Sequence, residues 1–164
     1  MIVISDTTPI NYLALIGQIE ILPALFKQVV IPAAVLAELK HPATPDAVQR
    51  WIRQPPAWLL VRSAAWVDPQ IRLGPGEAEA ISLAEEMHAS LLLMDDRLGR
   101  REAESRGLSV AGMLNVLEAA AQRNLLNLPT AIADLRLTNF HISESLIQFA
   151  LKADAARKKQ NHGD

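Results

Sequence analysis

The stretch Leu91-Leu92-Leu93-Met94-Asp95-Asp96 decides how this sequence is interpreted, because four apolar residues end abruptly in two carboxylates. A continuous apolar run of this length is typical of a strand that is buried on both faces of a parallel sheet. In such sheets, ligands bind beyond the carboxyl ends of the strands. The stretch therefore predicts a parallel α/β fold with acidic side chains at its ligand-binding edge.

Short apolar runs alternate with helical segments on both sides of this strand. The other predicted strands are Ile2–Ser5, Val29–Ile31, Leu59–Val61 (at a sheet edge) and Leu108–Val110. Helices are predicted between them, the first with Thr8 as its N-cap, and cover about 9–16, 19–26, 33–39, 44–54, 76–88, 97–106 and 112–123. Strands that alternate with helices are typical of βαβ units. We therefore expect a three-layer α/β/α sandwich with a parallel sheet.

The last part of the chain predicts only helices, over about 130–137 and 143–157. The length of 164 residues and the hydrophobic fraction of 50% favour one domain with a short additional element. We expect an α/β domain over residues 1–125, a C-terminal helical extension over 126–157 and a disordered tail over 158–164.

The composition excludes several kinds of site. Without cysteine there is no disulfide scaffold, thiolate zinc site or cysteine nucleophile. Sixteen Lys and Arg against 18 Asp and Glu give a formal charge of −2, so a nucleic acid would be bound through a local patch. The N-terminus does not resemble a signal peptide, and no apolar stretch is long enough to span a bilayer. We therefore expect a cytoplasmic protein without a membrane partner.

Acidic residues gather at the predicted ligand-binding edge. Asp6 ends the first strand, Asp95 and Asp96 end the most hydrophobic strand, and Glu77 and Glu79 lie in the first turn of the helix before it. Each acid alone has an ordinary explanation as a helix cap or as a charge favoured by a helix N-terminus. Several acids at one edge, however, repel each other unless a cation lies between them. Mg²⁺ or Mn²⁺, which take oxygen ligands, would relieve the repulsion between the acids at this edge.

Glu77 and Glu79 are alternatives for one position. They lie about 200° apart around a regular helix, so only one of them can face the site. Glu77 is favoured because it shares a face with Ile81, whereas Glu79 lies on the side of Glu86.

Four segments, in their order and spacing, resemble a PIN domain. The segments are Asp6-Thr7-Thr8-Pro9-Ile10, Val30–Leu39, Gly76–Ala84 and Leu92–Arg97. They are similar in particular to a prokaryotic group related to VapC-type toxins and long labelled as a domain of unknown function. The resemblance covers residues 2 to about 125, and residues 139–147 also look like that group.

The resemblance implies a Mg²⁺- or Mn²⁺-dependent endoribonuclease. The four acids of the family fall on Asp6, Glu38, Glu77 and Asp96, with Glu79 and Asp95 as alternatives at the last two places. Of these, Asp6, Glu77 and Asp96 are the implied metal ligands, and Glu38 ligates the metal or orients the attacking water.

The resemblance also implies partners. These are an RNA substrate, a cognate antitoxin of a type II toxin–antitoxin pair, and a second copy of the chain in a homodimer. The family's hydroxyl residue falls on Thr7 or Thr8, and Arg97 and Arg100 are candidate phosphate contacts beside Asp96. A catalytically inactive PIN-fold binding module is the main alternative. An acid-rich phosphohydrolase or receiver domain matches the sequence less well.

Overall fold

A five-stranded parallel sheet in the order β3-β2-β1-β4-β5 organises the computed structural model, which describes residues 1–162. The strands are β1 (Val3–Ser5), β2 (Val29–Pro32), β3 (Leu59–Arg62), β4 (Leu91–Leu93) and β5 (Val110–Ala111). The α/β class and the parallel sheet predicted from the sequence are confirmed, with β3 at an edge. The central strand is β1, whose Ile4 pairs with Val30 on one side and with Leu92 on the other.

Helices follow each strand. They are α1 (Thr7–Leu15), α2 (Ile21–Phe26), α3 (Ala33–Leu39), α4 (Asp46–Ile52), α5 (Pro75–Glu86), α6 (Arg97–Ser105), α7 (Met113–Gln122), α8 (Leu128–Arg136) and α9 (Glu144–His162). The prediction of Thr8 as the first N-cap is wrong, because Asp6 has extended backbone angles and α1 begins at Thr7. The segment from Ser63 to Leu73, which shows no periodicity in the sequence, forms neither helix nor strand.

Helix α5 brings an acidic turn to the sheet. It packs against β1, β2 and β4, and its Ala80, Ile81 and Leu83 join the buried core. Because α5 leads into β4, it runs opposite to the parallel strands, and its first turn lies at their carboxyl edge. Gly74 is its N-cap and Pro75 its first residue, a combination that favours a helix start.

The contacts divide the chain into two compact units, residues 1–113 and the residues from Leu114 onward. The first unit contains the whole sheet, and the second contains most of α7 together with α8 and α9. The boundary at residue 125 stays a prediction.

Helix α9 is longer than the sequence predicts. It continues to His162, so residues 158–162 are helical where disorder was expected, and residues 163–164 lie outside the described part. An ion pair within the helix, 3.0 Å between Lys158 Nζ and Asp154 Oδ2, supports this end. Within residues 1–162, no helix combines the length and apolar character needed to cross a membrane.

Candidate active site

Strand β1 ends in a buried carboxylate. Asp6 is 3% exposed, and its backbone N–H donates to the Leu93 carbonyl at 2.9 Å, which holds the ends of β1 and β4 side by side. Although Asp6 is the N-cap of α1, its side chain makes no capping hydrogen bond. Its Oδ1 atom is buried without a hydrogen-bond partner in the described chain. A carboxylate oxygen in this state is costly to fold unless a ligand satisfies it.

The surrounding charges show which acids face Asp6. Burial, opposed by a hydrogen bond from the Thr7 N–H and aided by the charges of Glu77, Glu38 and Asp95, raises the pKa of Asp6 to about 7. Burial also raises the pKa of Glu77, and the charges of Asp96 and Glu38 add to that effect. The structure therefore brings the predicted acids into one electrostatically coupled group at the carboxyl ends of β1 and β4, which we call the Asp6 cluster (Asp6, Glu38, Glu77, Asp95, Asp96).

Glu38 is held by two hydrogen-bond donors from different elements. The Thr7 hydroxyl donates to Oε2, and the Gly76 N–H donates to Oε1 at 3.2 Å. A Cβ on Gly76 would lie 2.6 Å from Glu38 Oε1, so only glycine lets α5 approach this carboxylate so closely. Glu38 therefore ties α1, α3 and α5 together at the site. In the described residues, Thr7 rather than Thr8 makes this contact.

Glu77 and Glu79 have different surroundings. The charge of Glu77 raises the pKa of Asp6. The Oε2 atom of Glu77 accepts a hydrogen bond from the Gly74 N–H at 3.2 Å. Glu79 Oε1 instead accepts from the Ala34 N–H at 2.9 Å, in the first turn of α3. Such first-turn N–H groups have no partner within their own helix. Glu79 therefore has a structural contact, and Glu77 is the glutamate that faces the other acids.

Asp95 and Asp96 both contact backbone N–H groups. Asp95 Oδ1 accepts from Met113 at 2.8 Å, while its Oδ2 is buried without a partner in residues 1–162. Burial raises the pKa of Asp95, against the lowering effects of the Met113 N–H and the Arg100 charge. Asp96 is exposed and caps α6 by accepting from the Gly99 N–H at 2.8 Å. The charge of Asp95 thus raises the pKa of Asp6, and the charge of Asp96 raises the pKa of Glu77.

The two predicted arginine contacts differ in position. Arg97 is exposed at the start of α6, whereas Arg100 is half-buried. A Cβ on Gly112 would meet Asp95 Oδ1 at 2.7 Å and Arg100 Nη1 at 2.8 Å. Arg100 therefore lies beside the Asp6 cluster, and Arg97 projects from the adjoining surface.

The donor set suits a hard divalent cation. It consists of carboxylate oxygens, and two of them, Asp6 Oδ1 and Asp95 Oδ2, are buried without partners in the described part of the chain. As the side chains stand, residues 1–162 contain no group of three His, Cys, Asp or Glu side chains that could hold a metal ion. Three of these carboxylates instead accept hydrogen bonds from backbone N–H groups: Glu77 from Gly74, Asp95 from Met113 and Asp96 from Gly99.

Sequence reasoning missed the backbone contacts of the site. It did not predict the contact between Gly76 and Glu38, and it gave Gly112 no role beside Asp95. The sequence signal that could have revealed these contacts is the pair of glycines at Gly76, directly before Glu77, and Gly112, directly before α7.

Comparisons with known proteins identify the family and agree with the fold. A family model described as PIN domain matches residues 2–155. Among solved structures, a PilT N-terminus domain protein from the hyperthermophilic archaeon Sulfolobus solfataricus P2 is similar, with a TM-score of 0.53 and 18% identity. The similarity covers 88% of this chain and 99% of that chain and shows a shared fold. A search of curated proteins found no match.

Proposed function

This chain belongs to the PIN domain family, a nuclease-type fold, and we propose that it is a Mg²⁺- or Mn²⁺-dependent endoribonuclease. One observation carries the proposal most directly. The Asp6 carboxylate is buried at the carboxyl end of the central strand, lacks a partner for Oδ1 within the described chain, and faces other acids. Uncompensated carboxylates in such a position are typical of functional sites.

The cation would be held by Asp6, Glu77 and Asp96, with Asp95 as the alternative to Asp96 and Glu79 as the alternative to Glu77. A bound Mg²⁺ or Mn²⁺ supplies Lewis-acid chemistry for phosphodiester hydrolysis, by activating water and stabilising charge on the leaving oxygen. The unpartnered Asp95 Oδ2 supports a ligand role for Asp95, and the contact of Glu79 with Ala34 supports Glu77 over Glu79.

The chain's own residues position this group. Thr7 and Gly76 occupy both oxygens of Glu38, which supports a role for Glu38 in orienting the attacking water and the first turn of α5. Arg100, beside Asp95, is placed to contact a phosphate group of the substrate.

The test is metal-dependent cleavage by the full chain. Purified protein is incubated with single-stranded RNA in Mn²⁺, in Mg²⁺ and in EDTA, and products are separated on a denaturing gel. We expect internal cleavage with either metal and none in EDTA. Cleavage that persists in EDTA would contradict the proposal, as would no cleavage with either metal.

An inactive PIN-fold binding module is the second candidate. It is favoured by the observation that no three acidic or histidine side chains of residues 1–162 stand close enough to hold a metal ion. Isothermal titration with Mn²⁺ separates the two functions. We expect saturable binding that Asp6→Asn abolishes, whereas an inactive module would bind RNA without turnover.

We also propose a biological setting, in which the chain is the cytoplasmic toxin of a type II toxin–antitoxin pair and forms a homodimer. Membership in the PIN family supports this setting. Co-expression with the protein encoded by the neighbouring reading frame should inhibit cleavage. Light scattering should give twice the mass of one chain.

A further inference from the structure

A basic groove lies between α6 and the segment that precedes α5. It has a volume of about 380 Å³, and its lining includes Arg72, Leu73, Leu98 and Arg101. Both arginine side chains are exposed, and neither forms an ion pair or hydrogen bond with another side chain of residues 1–162. The volume is at the lower end of the range of about 300–1,000 Å³ that small-ligand sites occupy.

The acid in this groove is already paired with an arginine outside the groove. Glu102 also lines the groove, but its Oε1 lies 2.9 Å from Arg106 Nε. The charges of Arg72 and Arg101 therefore stay available to an anionic ligand. Neither arginine would have to break an existing ion pair to bind a phosphate group.

The groove adjoins the Asp6 cluster along both segments that form it. Leu73 directly precedes Gly74, whose N–H donates to Glu77 Oε2 at 3.2 Å. On the other side, Leu98 lies in the first turn of α6, which Asp96 caps. One end of the groove therefore lies beside the backbone segments that hold Glu77 and Asp96.

We infer that this groove binds the nucleotide next to the scissile phosphate of single-stranded RNA, an inference that rests on the nuclease function proposed above. Arg72 and Arg101 contact the backbone phosphates, and Leu73 and Leu98 pack against the base. Leu98 is 63% exposed, which gives the base an apolar surface. Because a paired base cannot leave the stack without cost, the groove selects single strands.

The test replaces the two arginines in the full chain. Arg72→Ala and Arg101→Ala should each raise KM for single-stranded RNA about fivefold with Mn²⁺, and together about 25-fold. We expect kcat to stay within about twofold, because groups away from the reacting atoms bind ground state and transition state alike. The slope of log KM against log salt concentration should fall by about 0.7 for each arginine replaced. Arg53→Ala, which removes the same charge at the end of α4, is the control and should change neither quantity.

Three outcomes decide the inference. Unchanged KM and salt slope in the double variant would overturn RNA binding by the groove and leave the nuclease proposal intact. Equal cleavage of a duplex of the same sequence would overturn the selection of single strands. If the full chain cleaves no RNA with either metal, the nuclease proposal fails, and fluorescence anisotropy with labelled RNA tests whether the groove binds RNA. Weaker RNA binding by the double variant then supports RNA binding in the groove, and equal binding overturns it.

Discussion

Two acidic clusters of the α/β unit differ in how their charge is compensated. In the Arg106 cluster, the guanidinium of Arg106 lies 3.0 Å from Asp68, 2.8 Å from Glu85 and 2.9 Å from Glu102. In the Asp6 cluster, burial and neighbouring acids together raise the pKa of Asp6 to about 7. The acids of the Arg106 cluster therefore share one cation, whereas Asp6 has no ion-pair partner among residues 1–162.

The difference separates a structural contact from a binding site. Arg106 joins α6 to the irregular 63–73 segment, and the Gln70 N–H together with Arg106 lowers the pKa of Asp68. The carboxylates of the Arg106 cluster thus have a hydrogen-bond partner within the chain. Burial and repulsion in the Asp6 cluster oppose folding of the metal-free protein, and under the proposed function a bound cation would offset this cost.

The largest expected effect is the loss of RNA cleavage when the charge of Asp6 is removed, compared with removal of one charge from the Arg106 cluster. Asp6→Asn keeps the shape of the side chain but removes a buried oxyanion, so we expect RNA cleavage in Mn²⁺ to fall by about 100-fold or more. Asp68→Asn removes the same charge in the Arg106 cluster, and its cleavage rate should stay within about twofold. Single-turnover rates measure both. Cleavage by Asp6→Asn at the unsubstituted rate would remove the distinction between the clusters.

The two glutamates of α5 sharpen the comparison within one helix. Glu77→Gln should reduce cleavage about tenfold or more with little change in Tm, because Glu77 faces the other acids. Glu79→Gln should keep its activity and be less stable by about 1 kcal/mol, a Tm lower by about 2–4 °C, since the Ala34 N–H no longer has a charged acceptor. Activity assays and thermal melts in parallel check both, and the opposite pattern would assign the metal to Glu79.

The strand-end acids could be predicted from the sequence because the rule that locates them is local. The apolar run Leu91–Met94 identifies β4, and parallel packing places the residues after β1 and β4 at one edge. The helical angle between Glu77 and Glu79 likewise predicts that they point apart, as their contacts show.

The rest depends on contacts between residues that are distant in the chain. The choice between Asp95 and Asp96 is governed by which backbone N–H each accepts, Met113 or Gly99, and the Met113 contact needs the position of α7. The hydrogen bonds that hold Glu38 come from Thr7 and Gly76, which no periodicity connects. Arg106 organises a segment that has no pattern of its own.

Breaking the Arg106 cluster should affect stability rather than chemistry. Arg106→Ala leaves three carboxylates near each other without a cation, so we expect the protein to be less stable by about 1–2 kcal/mol, reduced by their partial exposure. The Tm should fall by several degrees. Arg62→Ala, which removes an exposed arginine on β3, should not change it. Equal melting of both variants would show that the Arg106 cluster contributes no net stability.

The last expected effect is on the pH dependence of the metal-free protein. The pKa of Asp6 is about 7 when folded, against 3.8 as the reference value, so folding takes up a proton between these values. Stability in EDTA should therefore fall as the pH rises from about 4 to 7 and level off above that range. Asp6→Asn should remove this part of the decline. Parallel slopes of Tm against pH for the two proteins would contradict the raised pKa.

The central position of β1 has a consequence for how the protein is made. This strand leaves the ribosome before β4, yet its second hydrogen-bonding edge is filled only by β4 at Leu91–Leu93. Until then the nascent chain carries an open strand edge, and Asp6 is separated from Asp95. For a protein proposed to cleave RNA, the order of translation thus delays the assembly of the Asp6 cluster. The carboxylates meet only after the segment between β1 and β4 has been synthesised, so a nascent chain that lacks β4 holds no assembled cluster.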